Sequence, residues 1–402
     1  MRAPRCRMPP VAFDTVRIAL RHPVFRIVGL SLLLRAVSAL LALYANLAFP
    51  LYQREQFTMF GRTNPFWDAF TRYDSGWYLG IARGGYDAAT AVAGGRSNIA
   101  FFPVYPLLMR YVGRLFGRAP ADLYIGGIVI SWTSFVLAMI VLYYLARLDL
   151  PRPRAERAVL LTAIFPFAFF FGVVYSESTF LLFTVLAFYG LRTRRWIGGG
   201  LAGAVAGATR VTGIMMWPAL AVTAWQSAKP DHRDRGWALA ALVLATGGFV
   251  AYCSYIYAQS GHPFLWAVAL QRWGYYPGGA PWTAPWRLVL ALLTHPYVYL
   301  ATDRMAPYDA LNGMSAVLFT AAVPFVWRRL NAGYALFMIA NLWLPLSSGV
   351  FEGMGRYCAV MFPCFIWLAS VKSRWVSTSI VVIFAMFYTL CLALFTTIHP
   401  VF

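Results

Sequence analysis

The sequence predicts an all-α, polytopic integral membrane protein, organised as a single membrane domain over residues 1–402. Three observations predict it. Hydrophobic residues make up 60% of the chain and charged residues only 12%, against about 25% charged in soluble domains. Apolar runs recur from end to end, many of them near the roughly 20 residues that a helix needs to cross a bilayer. The positive charge, 34 Lys and Arg against 14 Asp and Glu, lies in short clusters between those runs. That is the arrangement that fixes topology by the positive-inside rule, and it argues against nucleic acid as a partner.

Taken in order, residues 1–26 carry Arg2, Arg5, Arg7, Arg17, Arg21 and Arg26, which places this end in the cytoplasm. The first run, about 27–49, is long for the apolar core of a signal peptide and reads as a retained span. It contains Arg35, costly in hydrocarbon, which either snorkels or serves a helix–helix contact. Residues 50–120 form the first long outer loop. Within it Arg110 and Arg114 alternate with Leu107, Leu108, Tyr111 and Leu115, an amphipathic helix suited to the membrane surface.

Five further spans follow at about 121–146, 158–174, 178–191, 197–209 and 214–227. The later ones are short and interrupted by glycine, as in helices that line a cavity rather than lipid. A seventh, about 237–258, leads to the second long outer loop, 259–307, which carries Trp266, Trp273, Tyr275, Tyr276, Trp282 and Trp286. Spans at about 308–327, 332–348, 357–371 and 375–397 bring the count to about eleven. Every short basic loop then falls on one side, which places the chain in the inner (plasma) membrane with its long loops outside.

Several chemistries lack their residues. Cys6, Cys253, Cys358, Cys364 and Cys391 are scattered, with neither a disulfide framework nor zinc spacing. The five histidines are equally dispersed, and no HExxH, GxGxxG or P-loop pattern is present. No DxD pair and no cytoplasmic loop of domain size would serve a nucleotide-activated substrate. A substrate carried on a lipid needs none of these. No cofactor is expected and no metal ligand is assigned, a divalent ion being left open.

The stretch 67–87, WDAFTRYDSGWYLGIARGGYD, concentrates the candidates. Asp68 and Asp74 lie among Trp67, Tyr73, Trp77 and Tyr78. Carboxylates beside aromatic faces suit a sugar ring; the same aromatics also suit an interfacial belt. On one helix a six-residue spacing sets the two carboxylates about 240° apart. They meet one hydroxyl only if the helix breaks between them. Asp74 is the better base, because the small Ser75 and Gly76 follow it and Tyr73 and Trp77 flank it. Asp68 is suited to capping the helix that begins near it. Glu177, Arg210, Glu352 and Arg356 occupy other outer span ends. Arg210 and Arg356 could bind phosphate oxygens, and Gly353 and Gly355 would let the backbone approach closely.

These segments carry a family resemblance. Residues 73–82, YDSGWYLGIA, closing with Gly85-Tyr86, resemble the "WDs.wYl.IA..GY" segment of the PIG-V-like mannosyltransferases, multispanning enzymes of the GT-C glycosyltransferase fold. Phe101-Phe102-Pro103-Val104-Tyr105-Pro106 is similar to their "FFPlYP", Tyr175-Ser176-Glu177-Ser178 to their "yteS", and Arg356-Tyr357 to their late "RY". Thr209-Arg210-Val211-Thr212-Gly213 resembles "tRptG", departing from it at Val211 and Thr212; Arg72-Tyr73 departs from the usual Arg-Trp.

The resemblance implies transfer of mannose, or another hexose, from a polyprenyl-phosphate sugar with inversion. The acceptor is a lipid-linked or glycan hydroxyl on the outer face. In eukaryotic members it is the growing GPI anchor, but the Arg- and Ala-heavy composition suggests a bacterial chain and leaves the acceptor open. Asp74 is then the catalytic base. Asp68, Arg72, Trp77, Tyr78, Tyr86, Phe102, Tyr105, Glu177, Arg210, Glu352, Arg356 and Tyr357 are the candidate substrate-binding residues. The rival reading is a transporter or flippase for a lipid-linked saccharide, which calls for ionisable residues deep in the spans and repeat symmetry. No clear repeat is visible, and Arg35 is the main deep charge.

Overall fold

The structure, a computed structural model, describes residues 22–52, 64–274, 280–297, 306–348, 351 and 353–401. The N-terminal arginines up to Arg21, Tyr275, Tyr276 and Glu352 lie outside the described residues. Among the described residues all regular structure is helical.

A first helix, α1 (Pro23–Ala48), begins at a proline, whose missing N–H costs nothing in a first turn. The first outer loop follows as α2 (Pro65–Asp68), α3 (Ser75–Gly84), α4 (Ala88–Val92) and α5 (Val104–Gly113). Then come α6 (Pro120–Arg147), α7 (Arg152–Ile164), α8 (Glu177–Arg192), α9 (Trp196–Gly207), α10 (Val211–Met215), α11 (Trp217–Ser227) and α12 (His232–Ser260). The second outer loop holds α13 (Leu265–Arg272) and α14 (Thr283–Thr294). The chain ends with α15 (Ala306–Arg329), α16 (Ala332–Leu346), α17 (Met354–Ala359), α18 (Phe362–Ala369) and α19 (Arg374–Thr396).

Five of these, α1, α6, α12, α15 and α19, are long and apolar enough to cross a membrane. Several of the remaining expected spans are broken, and proline explains two of the breaks. A proline disfavours helical backbone at the residue before it. The run expected at 158–174 stops at Ile164, ahead of Phe165-Pro166, and continues as a 3₁₀ turn, Ala168–Phe171. The run at 357–371 divides into α17 and α18 ahead of Pro363. The pair 197–227 divides into α9, α10 and α11, with Arg210 extended at the first break and Pro218 just inside α11.

Close packing holds these short pieces. A methyl group at Gly200 or Gly203 would lie within 3.0 Å of Ala241 or Ala245, so α9 and α12 touch backbone to backbone. The core is aromatic: Phe165, Phe167, Phe170 and Phe171 are almost wholly buried, and Phe188, Phe337 and Phe362 pack edge to face or stacked.

The two ends of the bundle differ. At one end Arg192 grips Asp149 with two nitrogens and donates to the Tyr334 hydroxyl at 2.8 Å. Trp196 Nε1 donates to Asp234 at 2.9 Å, Asn331 to Gln226 at 2.9 Å, and Arg157 to the Val371 carbonyl at 3.1 Å. The short basic loops thus meet at one end, as the charge pattern requires. Arg35 does not snorkel: it is 1% exposed and lies between helices, donating to Tyr388 of α19 over the Phe135 ring of α6.

Candidate active site

At the opposite end the helix does break between Asp68 and Asp74. Tyr73 has φ of +51°, a left-handed conformation that an aromatic residue adopts only when its surroundings hold it there. The surroundings are the segment entering α8. Val174 N–H donates to the Phe70 carbonyl at 3.0 Å, Ser75 Oγ to the Val174 carbonyl at 3.2 Å, and Asp74 N–H to the Tyr175 hydroxyl at 3.2 Å. Asp74 sits at the N-cap position of α3 but makes no side-chain cap hydrogen bond. Its carboxylate instead meets Arg356, Nη1 to Oδ2, at 2.6 Å.

Arg356 reaches that point because of two glycines. Gly353 has φ of +72° and opens α17 in a conformation that a side chain would strain. Gly355 lies against the Phe167 ring, with room for no Cβ, and its N–H donates to Asn312 Oδ1 at 2.7 Å. Arg356 Nε lies 2.9 Å from Glu177 Oε1, and its guanidinium packs 5.3 Å from the Tyr175 ring centre.

Glu177 opens α8 and is fully buried. The same Oε1 also pairs with Arg210, which is held over the rings of Tyr357 and Phe180. Asp74, Glu177, Arg210 and Arg356 therefore form one linked set of two anions and two cations, drawn from four separate elements. Within it Glu177 lies deepest and Asp74 is the most open, at 23% exposure.

Above the set is a cleft of about 140 Å³. Asp74, Arg210 and Arg356 supply its charges, Tyr78, Ser176 and Thr209 its hydroxyls, and Phe101, Phe102, Trp273 and Tyr357 its aromatic walls. Tyr78 donates to Ser176 Oγ at 3.0 Å. Burial pushes the Tyr78 phenol well up, so it stays protonated. Ala100 closes, and Phe101 follows, a 3₁₀ turn pinned by Asn98, whose Nδ2 donates to the Gly85 carbonyl at 3.0 Å. The Val104 N–H then donates to the Ala208 carbonyl at 3.1 Å, which sets this wall beside Arg210.

The structure brings Asp74, Tyr78, Phe102, Arg210, Arg356 and Tyr357 to the cleft, with Glu177 beneath. It places five others, Asp68, Arg72, Tyr86, Tyr105 and Trp77, outside the cleft lining. Asp68 does not cap a helix: α2 begins earlier, at Pro65, and its cap is Asn64, which accepts from Trp67 N–H. Asp68 is instead buried against Arg72, which also donates to the Thr396 carbonyl and to Asn46 Oδ1, both at 3.1 Å. This pair brackets the outer loop to α1 and α19, away from the cleft. Tyr86 donates to the Phe101 carbonyl at 2.8 Å and Tyr105 to the Gly127 carbonyl at 3.0 Å, so both hold walls and neither lines the cleft. Trp77 stands behind the lining, stacked on Phe101 and edge-on to Trp273 at 4.8 Å. Glu352 lies outside the described residues.

Sequence reasoning did not single out Trp273, which closes the cleft from the end of α13, nor Leu270 beside it. Their segment is so rich in Trp and Tyr that nothing local distinguishes a site residue from an interfacial anchor.

No curated protein matches the chain. Among solved structures it is similar to the apo oligosaccharyltransferase of Archaeoglobus fulgidus, at 13% identity and a TM-score of 0.45, over 92% of this chain and 56% of that one. It is also similar to ArnT from Cupriavidus metallidurans bound to undecaprenyl phosphate, at 12% identity and a TM-score of 0.47, over 93% and 77%. The chain spans little more than half the length of the oligosaccharyltransferase. A family model described as Mannosyltransferase (PIG-V) matches residues 25–229, which is 205 of the 402 residues and includes Asp74, Glu177 and Arg210. By that match the chain belongs to the PIG-V mannosyltransferases, a family of membrane glycosyltransferases.

Proposed function

We propose that this GT-C-type enzyme transfers a mannosyl or other hexosyl group from a polyprenyl-phosphate sugar to a lipid-linked or glycan hydroxyl, with inversion and with Asp74 as general base. One observation carries the reading. The most open carboxylate of the linked set and the two arginines face the same aromatic-walled cleft, which is the combination that a sugar on a phosphate leaving group requires.

The roles follow from the geometry. Arg356 and Arg210 neutralise the departing lipid phosphate as the bond from the anomeric carbon to the phosphate oxygen breaks. Glu177 holds both guanidiniums from below through one oxygen, so it positions them and does not itself reach the sugar. Phe101, Trp273 and Tyr357 supply faces for the ring. The acceptor oxygen forms its bond to the anomeric carbon from the opposite side and gives its proton to Asp74, through the carboxylate oxygen that Arg356 does not hold. The transition state is oxocarbenium-like, and the products are the glycosylated acceptor and the free lipid phosphate.

The ArnT neighbour is described as binding undecaprenyl phosphate, and the archaeal oligosaccharyltransferase AglB as binding dolichol-phosphate. Both ligands are polyprenyl-type lipid phosphates, the class of the leaving group in the donor proposed here. We place the cleft on the outer face of the inner membrane, because the basic loops gather at the other end of the bundle. Purified protein given a radiolabelled polyprenyl-phosphate mannose and a membrane lipid extract tests the reading. Label moving to a lipid or glycan product supports it. Label that stays on the donor, with other polyprenyl-phosphate hexoses equally inert, refutes it.

A further inference from the structure

We propose that Arg35 holds a single monovalent anion of the halide class inside the membrane domain. Arg35 is the thirteenth of the 26 residues of α1. At about 1.5 Å per residue it lies roughly 18 Å from either end, near the middle of the bilayer. It is 1% exposed, so its charge cannot reach water or a headgroup. Among the described residues no carboxylate pairs with it. An unneutralised cation at that depth is costly, and removing its counter-charge from a buried ion is strongly destabilising.

The guanidinium is only partly satisfied by protein. Nη2 donates to the Tyr388 hydroxyl at 3.1 Å, and the group lies 4.3 Å from the centre of the Phe135 ring. Nε and Nη1 have no hydrogen-bond partner among the described residues. The two hydroxyls that line the cavity are already committed. Ser38 Oγ donates to the Leu34 carbonyl at 2.6 Å and then accepts from Tyr388 at 2.6 Å. Two guanidinium nitrogens, carrying three N–H groups, are thus left for a ligand, and what they call for is an acceptor that carries charge.

The space beside these groups is small. Arg35, Ser38, Trp132, Gly172 and Tyr388 line a cavity of about 10 Å³, the threshold for a single water, so a halide enters only as the apolar side chains that also line it, Phe70 and Leu392 among them, move slightly outward. Gly172 is fitted to the arginine: a Cβ there would lie 2.6 Å from Nη1. Its carbonyl is taken by Trp132 Nε1 at 3.0 Å, so it is not the missing acceptor. The site also abuts the catalytic end, because Phe170 of the adjoining 3₁₀ turn lies 5.8 Å beneath the Arg356 guanidinium. A halide here would fix the turn on which that arginine rests.

The test uses the whole detergent-purified protein in sodium chloride, sodium bromide or sodium gluconate at equal ionic strength. The wild type is expected to melt roughly 2–5 °C higher in either halide than in gluconate, with saturation as halide is raised. Arg35→Met is expected to show no difference among the three salts. Gly172→Ala, which crowds Nη1, serves as the second variant if Arg35→Met does not fold, and is expected to lose the halide response. Crystals of the wild type grown in bromide should show an anomalous peak within hydrogen-bond reach of Arg35 Nε and Nη1. No peak there, or a halide response that survives intact in the variant, overturns the proposal and leaves Arg35 to a water and the Phe135 ring.

Discussion

Replacing Asp74 with asparagine keeps the size of the side chain and removes its charge and its basicity. The structure separates the two consequences. The Asp74–Arg356 pair is partly open, with side chains 23% and 11% exposed, so its loss should cost no more than about 1 kcal/mol of stability. Arg356 also keeps its second carboxylate, Glu177, at 2.9 Å. Catalysis should suffer far more. Losing a general base costs about 10²- to 10⁴-fold, or roughly 3–5 kcal/mol of barrier at about 1.36 kcal/mol per tenfold. Donor affinity should not weaken, since the freed Arg356 Nη1 becomes available to phosphate.

Asp74→Asn should therefore insert and melt like the wild type, bind donor at least as well, and transfer at least 100-fold more slowly at saturating donor and acceptor. The assay is single-turnover transfer of labelled mannose, with donor affinity measured separately. Asp68→Asn should do the reverse. It breaks a buried pair and lowers the melting temperature, while transfer per folded molecule falls by less. If Asp74→Asn transfers at nearly the wild-type rate and folded Asp68→Asn is dead, the two carboxylates have been given each other's roles.

Three further outcomes are expected. Arg356→Lys exchanges a guanidinium that touches both Asp74 and Glu177 for a point charge that cannot span them, and transfer should fall by about tenfold or more with weaker donor binding; unchanged turnover and donor affinity would reduce Arg356 to an anchor. Gly355→Ala drives a methyl group into the Phe167 ring and should destabilise by roughly 1–3 kcal/mol, read as a lower melting temperature with a loss of transfer among the molecules that remain folded. A cysteine introduced at position 194, in a chain stripped of its native cysteines, should resist an impermeant thiol reagent in intact cells; labelling there would invert the topology.

The five long spans were legible because hydropathy is a local property, and the broken pair 197–227 was legible as short, Gly-interrupted runs, whereas 158–174 and 357–371 read as whole spans. The breaks at Phe165 and ahead of Phe362 follow from Pro166 and Pro363, whereas the one at Arg210 has no proline beside it. The functional cluster was legible as residue types at span ends, and Asp74, Glu177, Arg210 and Arg356 do converge. Their pairing was not, since Asp74 and Arg356 are 282 positions apart and meet only through the backbone geometry at Gly353 and Gly355. Asp68, Arg72, Tyr86 and Tyr105 show the limit of a motif. A conspicuous segment contains both the residues that face a substrate and those that hold them, and only packing tells the two apart. Trp273 was hidden for the opposite reason, in a stretch where every neighbour looks alike.

The short helices also bear on how the protein comes to exist. α9 has 12 residues, about 18 Å of helix against a hydrocarbon layer of about 30 Å. A segment of that length does not settle stably in lipid by itself; its ends must be met by other protein. Glu177, Arg210 and Arg356 all sit at such ends or in such pieces. During synthesis, Asp74 and Glu177 emerge long before the arginine at position 356 has been translated. Until α17 arrives, a carboxylate shared by two arginines has only one of them. On the roles proposed for Arg210 and Arg356, a chain released before α17 should be catalytically silent however well its earlier helices have inserted.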